Sequence, residues 1–214
     1  MDIIDISWPI TQDMTEYKDR KTVIFKPVKL FEKDGVREYE ITCNSHTGTH
    51  IDSPSHFLKN GKAVDNVLLS SCIGRCKVLD LTSITKGIAR SDLQVFDISE
   101  GEIVIFKTKN SFLSPVESFD YNFVFLQEDG AQYLVEKRVK AVGIDYLGLE
   151  RDQKGHPSHI CLMEHDVTII EGLRLETVVP GEYFFCCLPI YFVGIESALC
   201  RAVLMNLVQL KRAI

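Results

Sequence analysis

Runs of β-branched and aromatic residues, separated by turn-forming residues, set the pattern of this chain. "KTVIFKPVKL" (21–30), "EYEITCNSHT" (38–47), "CKVLDLT" (76–82) and "EIVIFKT" (102–108) read as strands. So do "FVFLQ" (123–127), "AVGIDY" (141–146), "DVTIIEGL" (166–173) and "YFFCCLPIYFV" (183–193). Three stretches read as helices. One is "SDLQVF" after a cap-like Ser91, a second covers 128–137, and a short third lies near 64–70. In the second, Ala131, Leu134 and Val135 recur at helical spacing. The order strand, helix, strand in "VFLQEDGAQYLVEKRVKAVGIDY" predicts a right-handed crossover with parallel pairing. The fold class expected is α/β, a strand-rich mixed sheet with a few helices. Nothing reads as a linker or repeat, so 1–214 is expected to form a single domain.

Charge and cysteine usage narrow the partners. A formal net charge of -6, with no clustered basic face, argues against nucleic acid. The nearest candidate, "EKRVK" at 136–140, is short and mixed in sign, and reads as a solvated helix end. The opening "MDIIDISWPI" lacks the basic start and apolar run of a secretory signal. No stretch approaches the roughly 20 apolar residues that span a bilayer, so no membrane partner is expected. The seven cysteines share no recurring spacing, and "CIGRC" has no second pair to make a zinc site. Reduced thiols in a cytoplasmic protein acting on a small molecule are the expectation.

One segment departs from ordinary composition. "NSHTGTHIDSPSHF" (44–57) holds three of the six histidines, and His46, His50, Asp52 and His56 fall within it. Such a gathering costs desolvation and repulsion unless a positive charge sits among the groups, and His with Asp suits a borderline divalent metal. Gly48, the β-branched Thr47, Thr49 and Ile51, and Pro54 oppose a helix. An extended strand would put 46, 50, 52 and 56 on one face, yet 46 and 50 would lie roughly 13 Å apart. The chain must therefore bend, and Gly48 is the place for it. His50 and Asp52 can then reach one ion from the same side, and Asp52 has a second oxygen to bridge another. His56, beyond Pro54, is either a further ligand or a nearby base, and the residues alone leave both open.

"HTGTHIDSPSH" resembles the His-x-Gly-Thr-His-x-Asp-x-Pro-x-His signature of the cyclase-like metal-dependent hydrolases, which include bacterial kynurenine formamidases and isatin hydrolases. All seven defining positions are present. "IDISWPITQDM", "QEDGAQYLVEKRVKAVGIDYLGLE" and "HPSHICLMEHDVTIIEGLRLE" resemble further parts of that family. The resemblance implies a swivelling β/β/α barrel-like fold and a homodimer or homotetramer. It implies His46, His50 and Asp52 as ligands of one zinc, with Asp52 bridging to a second ion held by His159 and with Glu171 contacting both. Two zinc ions per chain are expected, with manganese as the alternative metal. His56 becomes the catalytic acid and base. His156 could replace His159 if the register differs, while His165 reads as structural or exposed. Tyr17 stands where the family sets an aromatic over the substrate, but Lys18 and Asp19 follow it in place of Pro-Gly. Trp8 falls earlier, at a position suited to packing or to shaping the entrance.

The activity implied is hydrolysis of a small amide of the arylformamidase kind, by water activated at the metal. The alternatives are a single-metal enzyme that opens lactam or lactone rings, and a polyketide cyclase or dehydratase-type lyase. No Gly-x-Ser-x-Gly elbow points to a serine nucleophile.

Overall fold

The computed structural model describes residues 2–207. Its strands are β1 (Ile3–Asp5), β2 (Ile24–Lys29), β3 (Glu38–Thr42), β4 (His50–Asp52), β5 (Ile73–Asp80) and β6 (Gly87–Ile88). There follow β7 (Ile103–Lys107), β8 (Phe125–Leu126), β9 (Ala141–Ile144), β10 (Thr168–Glu171), β11 (Gly181–Pro189) and β12 (Ser197–Asn206). The helices are α1 (Phe31–Asp34), α2 (Leu69–Cys72), α3 (Arg90–Leu93), α4 (Glu128–Glu136) and α5 (Pro157–Glu164).

Seven strands close into a ring in the order β12, β11, β5, β7, β9, β10, β4, with β4 pairing back onto β12. β1 continues along the same edge of β12, facing 203–205 while β4 faces 197–199. β5, β7, β9 and β10 are parallel and the remaining ring pairs antiparallel. Every residue of β7 and β9 is buried, as expected of parallel strands covered on both faces. Their side chains alternate between two cores. Ile103 and Ile105 join Ile51, Ile170, Phe185 and Leu204 inside the ring. Val104, Phe106, Val142 and Ile169 pack outside it against Leu134 of α4 and Leu162 of α5.

The strand-rich mixed α/β expectation matches this architecture, with differences that have local causes. The expected crossover partners differ: β8 pairs with β6, while β9, after α4, runs parallel to β7 and β10. Ser91 lies inside α3, whose start is held by the Ala89 N–H donating to the Asp92 carboxylate at 2.8 Å. The 64–70 stretch divides into a 3-10 turn at Val64–Asn66 and α2. β12 was not marked by the residue pattern, because Arg201 and the small Ala198, Cys200 and Ala202 dilute its β-branched character. α5 was also unmarked, although Pro157 in its first turn is an ordinary helix start.

Alternation also decides where the histidine segment points. In β4, Ile51 faces the ring interior with Ile170 of β10. His50 pairs with Glu171, and Asp52 with Ile169, across an antiparallel ladder. His50, Asp52 and Glu171 therefore share the opposite face, the one covered by α5. Two glycines allow this approach. Gly48 has φ +62° and Gly172 has φ +72°, and a Cβ on Gly172 would lie 2.1 Å from the Gly48 carbonyl oxygen. The Thr49 hydroxyl donates to the Gly172 carbonyl at 2.6 Å and accepts from the Trp8 N–H at 2.7 Å, which locks the crossing. Gly172→Ala is expected to cost about 2–4 kcal/mol, since it adds both a backbone collision and a left-handed strain. Urea unfolding of the variant and the parent measures this; a change within about 0.5 kcal/mol, the size of an ordinary surface substitution, would contradict the crossing.

Candidate metal centre

Two carboxylates stand among three histidines. Glu171 Oε2 lies 3.3 Å from His50 Nε2, and Glu171 Oε1 lies 3.2 Å from His159 Nε2. Asp52 Oδ1 is 3.0 Å from His46 Nδ1 and 3.5 Å from His50 Nε2, while Oδ2 is 3.9 Å from His159 Nε2. Each carboxylate thus turns its two oxygens toward different imidazoles. His50, Asp52, His159 and Glu171 are each 5% exposed or less, and His46 is half-buried. His50 and Asp52 come from β4, His46 from the turn before Gly48, Glu171 from the end of β10, and His159 from α5.

The donor set fits a metal on two observations. His50 Nε2 and Asp52 Oδ1 are buried and have no hydrogen-bond partner. Buried polar atoms rarely stay unpaired, so a pair of them aimed at one another calls for a shared positive partner. His50 Nδ1 lies 2.9 Å from the Gly48 carbonyl, so Nδ1–H donates there and Nε2 is the nitrogen that would serve a metal once the ring gives up its second proton. Mixed nitrogen and oxygen donors suit zinc or manganese better than an all-oxygen ion such as calcium.

The electrostatics point the same way. Burial opposes a charge on His50, but the Glu171 carboxylate 3.3 Å away and the Asp52 charge outweigh it and raise the ring to about 9. Burial also opposes a charge on His159, which Glu150, Glu171 and Asp52 push up to about 10. Burial and the Glu171 charge resist ionisation of Asp52, yet its histidine neighbours keep it below the usual value. Glu171 is held well below its usual value against burial by the His159 imidazole bonded to it and by the His50 imidazole 3.3 Å away. The field at the centre favours positive charge. A divalent cation entering it displaces protons from the imidazoles.

Around this centre lies a cavity of about 310 Å³, lined by Tyr17, His46, His56, Phe57, His156 and His159 among others. His56 sits on a 3-10 turn, Pro54–His56, with its ring 4.4 Å from that of His46 and 6.4 Å from that of His159. His46, Asp52 and His56 offer donor atoms within 4.8 Å of one another. Burial pushes the His56 imidazole below its usual value, which favours its neutral form. Tyr17 is half-buried and packs edge-on to Phe119 at 5.0 Å. His156 is exposed, begins α5 and leans on Phe57 with centroids 4.4 Å apart. His165 lies outside the cluster, against the Cys161 carbonyl. Trp8 is buried against Tyr146 and under the Arg174 guanidinium, away from the cavity lining.

Two acids belong to the arrangement that the residue pattern did not mark. Glu150 is buried, its Oε2 2.5 Å from His159 Nδ1 and its Oε1 accepting the Ser158 N–H at 2.6 Å. Glu196 sets Oε1 3.2 Å from His46 Nε2 and 2.6 Å from the Ser45 hydroxyl. Glu150 closes the family-like stretch at 127–150 without having been marked as a site residue, Glu196 lies outside the stretches quoted above, and both reach the centre only through the folded chain. Carboxylates behind ligand histidines fix the tautomer and raise ligand basicity. Glu150→Gln is therefore expected to weaken zinc binding by about 10- to 100-fold with the fold intact. Competition against a chromogenic chelator reads the affinity and circular dichroism reads the fold; unchanged affinity would assign Glu150 to structure alone.

Comparison with known proteins places the chain. The family model described as "Putative cyclase" matches residues 4–151. A kynurenine formamidase from Salinibacter ruber is 32% identical over 176 residues, covering 82% of this chain and 82% of that protein. A solved structure described as a potential metal-dependent hydrolase with cyclase activity superimposes with a TM-score of 0.86 at 40% identity, covering 95% of this chain and 96% of the other. Isatin hydrolase A from Labrenzia aggregata shares the fold, with a TM-score of 0.83 at 17% identity over 96% of this chain and 93% of its own. With the family model spanning more than half its length and the histidine segment inside the matched region, the chain belongs to the Cyclase family.

Proposed function

We propose that this protein is a metal-dependent hydrolase that cleaves the C–N bond of a small amide, of the arylformamidase kind. The observation that carries the reading is the buried pair Asp52 and Glu171, whose oxygens are shared out among His46, His50 and His159. That division suits two ions. His46, His50 and Asp52 would hold one, and Asp52, Glu171 and His159 the other, with zinc as the metal and manganese as the alternative. Ions held there supply a water nucleophile at neutral pH and polarise a carbonyl. The similarity to kynurenine formamidases and to a metal-dependent hydrolase supports the reaction class.

The chain's own groups carry the rest. His56 borders the cavity beside His46 and favours its neutral form, so it takes a proton from the attacking water and returns it to the leaving nitrogen. Tyr17 and Phe57 line the same cavity from different segments and offer apolar surfaces to an aryl group. Glu150 holds His159 in the tautomer that turns Nε2 toward Glu171. The exposed apolar residues Ile24, Val28, Tyr39 and Ile41 on the β2–β3 hairpin support association of copies, as a homodimer or homotetramer. No helix among the described residues is long and apolar enough to cross a membrane. We assign residues 1–214 to one domain and the protein to the cytoplasm.

Metal content of the purified protein, paired with turnover of N-formylkynurenine before and after chelation, tests the reading. About two zinc ions per chain and hydrolysis lost to chelator and restored by zinc are expected, as water activation by metal requires. Bound metal without this turnover would move the assignment to lactams, lactones or a lyase reaction, and no metal after reconstitution would overturn it. His56→Asn separates its two roles. As an acid and base it should cost about 10²- to 10⁴-fold in kcat with metal content unchanged; loss of metal along with activity would make His56 a ligand.

A further inference from the structure

The turn that carries Tyr17 is built at a cost. Lys18, Asp19 and Lys21 all adopt left-handed backbone angles, with φ of 53°, 57° and 56°, although none is glycine. Such a turn persists only where its surroundings enforce it, and here they do. The buried Glu16 carboxylate accepts the Thr22 N–H at 2.8 Å, the Thr22 hydroxyl at 2.5 Å and the Val23 N–H at 3.3 Å. The Asp19 carboxylate accepts the Phe119 N–H at 2.9 Å. The turn therefore holds residues 17–20 in fixed positions at the cavity wall, where Tyr17, Lys18 and Arg20 all contribute to the lining.

Arg20 stands apart among the charged groups at this wall. Lys18 Nζ is 3.3 Å from Asp152 and so is paired. Glu16 is taken up by Thr22 and Val23, and Glu150 by His159 and Ser158. Asp52 and Glu171 face the histidines. Arg20 is left over. Its guanidinium lies 5.7 Å from the centroid of the Tyr17 ring, and among the described residues no carboxylate comes within salt-bridge reach of it. A guanidinium beside an aromatic ring retains its planar fork of N–H donors for an anion.

We propose that Arg20 is a specificity-determining residue that receives a carboxylate carried by the substrate at the end remote from the scissile amide. The substrate class is then a small N-acyl or N-formyl amide with a free carboxylate, and this rests on the amide-hydrolase reading above. One unpaired cation matches one carboxylate, and a planar carboxylate matches the fork of the guanidinium. A phosphate dianion would leave a charge unmatched, because Lys18 already has Asp152. With the aryl body between Tyr17 and Phe57, the amide is directed toward the carboxylates and histidines at the other end of the cavity.

The test compares 4-formamidobenzoate with 4-formamidobenzamide, which have nearly the same shape and differ in charge. The zinc-loaded protein is expected to favour the benzoate by about tenfold to hundredfold in kcat/KM, expressed mainly in KM, as a charged hydrogen-bonded pair implies. Arg20→Gln should collapse that ratio toward unity, and Arg20→Lys should keep part of it. A purely structural Arg20 would change both substrates together and leave the ratio standing, which overturns the proposal; so would an absence of preference in the parent. Should neither amide be hydrolysed, the amide reading fails separately, and calorimetric titration with benzoate and benzamide decides Arg20. Benzoate binding that is selective in the parent and lost in Arg20→Gln supports the carboxylate site, whereas equal binding by both proteins rejects it.

Discussion

Asp52 and Glu171 are two carboxylates buried together, and their mutual repulsion organises the rest of the molecule. Burial alone would protonate them; instead the adjoining imidazoles hold both below their usual values. Such an arrangement needs concentrated positive charge to be stable. Each element nearby contributes to that requirement. β4 carries His50 and Asp52 two residues apart on one face, β10 brings Glu171 opposite His50, and α5 lowers His159 onto both acids. The ring closes between β4 and β12, so the strand bearing Asp52 is bonded on both edges and cannot drift.

A second buried acid shows what an ordinary solution looks like. Asp145 is fully buried and its oxygens accept from the Thr108 N–H and hydroxyl and from the Ser111 N–H and hydroxyl, at 2.5–3.1 Å. Burial raises its pKa, and those donors oppose the rise. Asp145 is therefore a structural acid, satisfied by the turn it organises. Asp52 Oδ1 has no such donor. The contrast within one molecule separates a carboxylate used to hold a loop from one reserved for a cation.

The cavity extends this division of labour outward. It brings Asp52 and Glu171 together among histidines, while at residues 16–20 of its wall Glu16 is held by neutral donors, Lys18 is ion-paired, and Arg20 has no ion-pair partner among the described residues. Strain at Lys18, Asp19 and Lys21 lies at the wall, on a segment anchored by Glu16 and Asp19. Reaction chemistry and substrate selection are thus placed on separate segments of the chain. The first sits on strands and a helix of the barrel; the second sits on a loop that can vary without disturbing the barrel.

Local geometry was legible from the residues themselves. Gly48 and Pro54 forced the bend, and alternation put His50 and Asp52 on one side, because neighbours in sequence are bound to be neighbours in space. The strand runs at 102–108, 141–146 and 166–173 were equally plain, since β-branched and aromatic residues dominate them. The resemblance of the segment to a family signature pointed to His159 and Glu171, more than a hundred residues onward. What the chain could not disclose locally were the contacts made by closure. β12, diluted by Arg201 and small residues, takes its place only by pairing with β4, β11 and β1. Glu150 and Glu196 were not marked as site residues, and they matter only because folding sets them behind His159 and His46. Whether a charge such as Arg20 is paired is likewise a property of the assembled surface. A sequence names the groups and their local directions, but pairing depends on distances between distant segments, and those exist only once the barrel has closed.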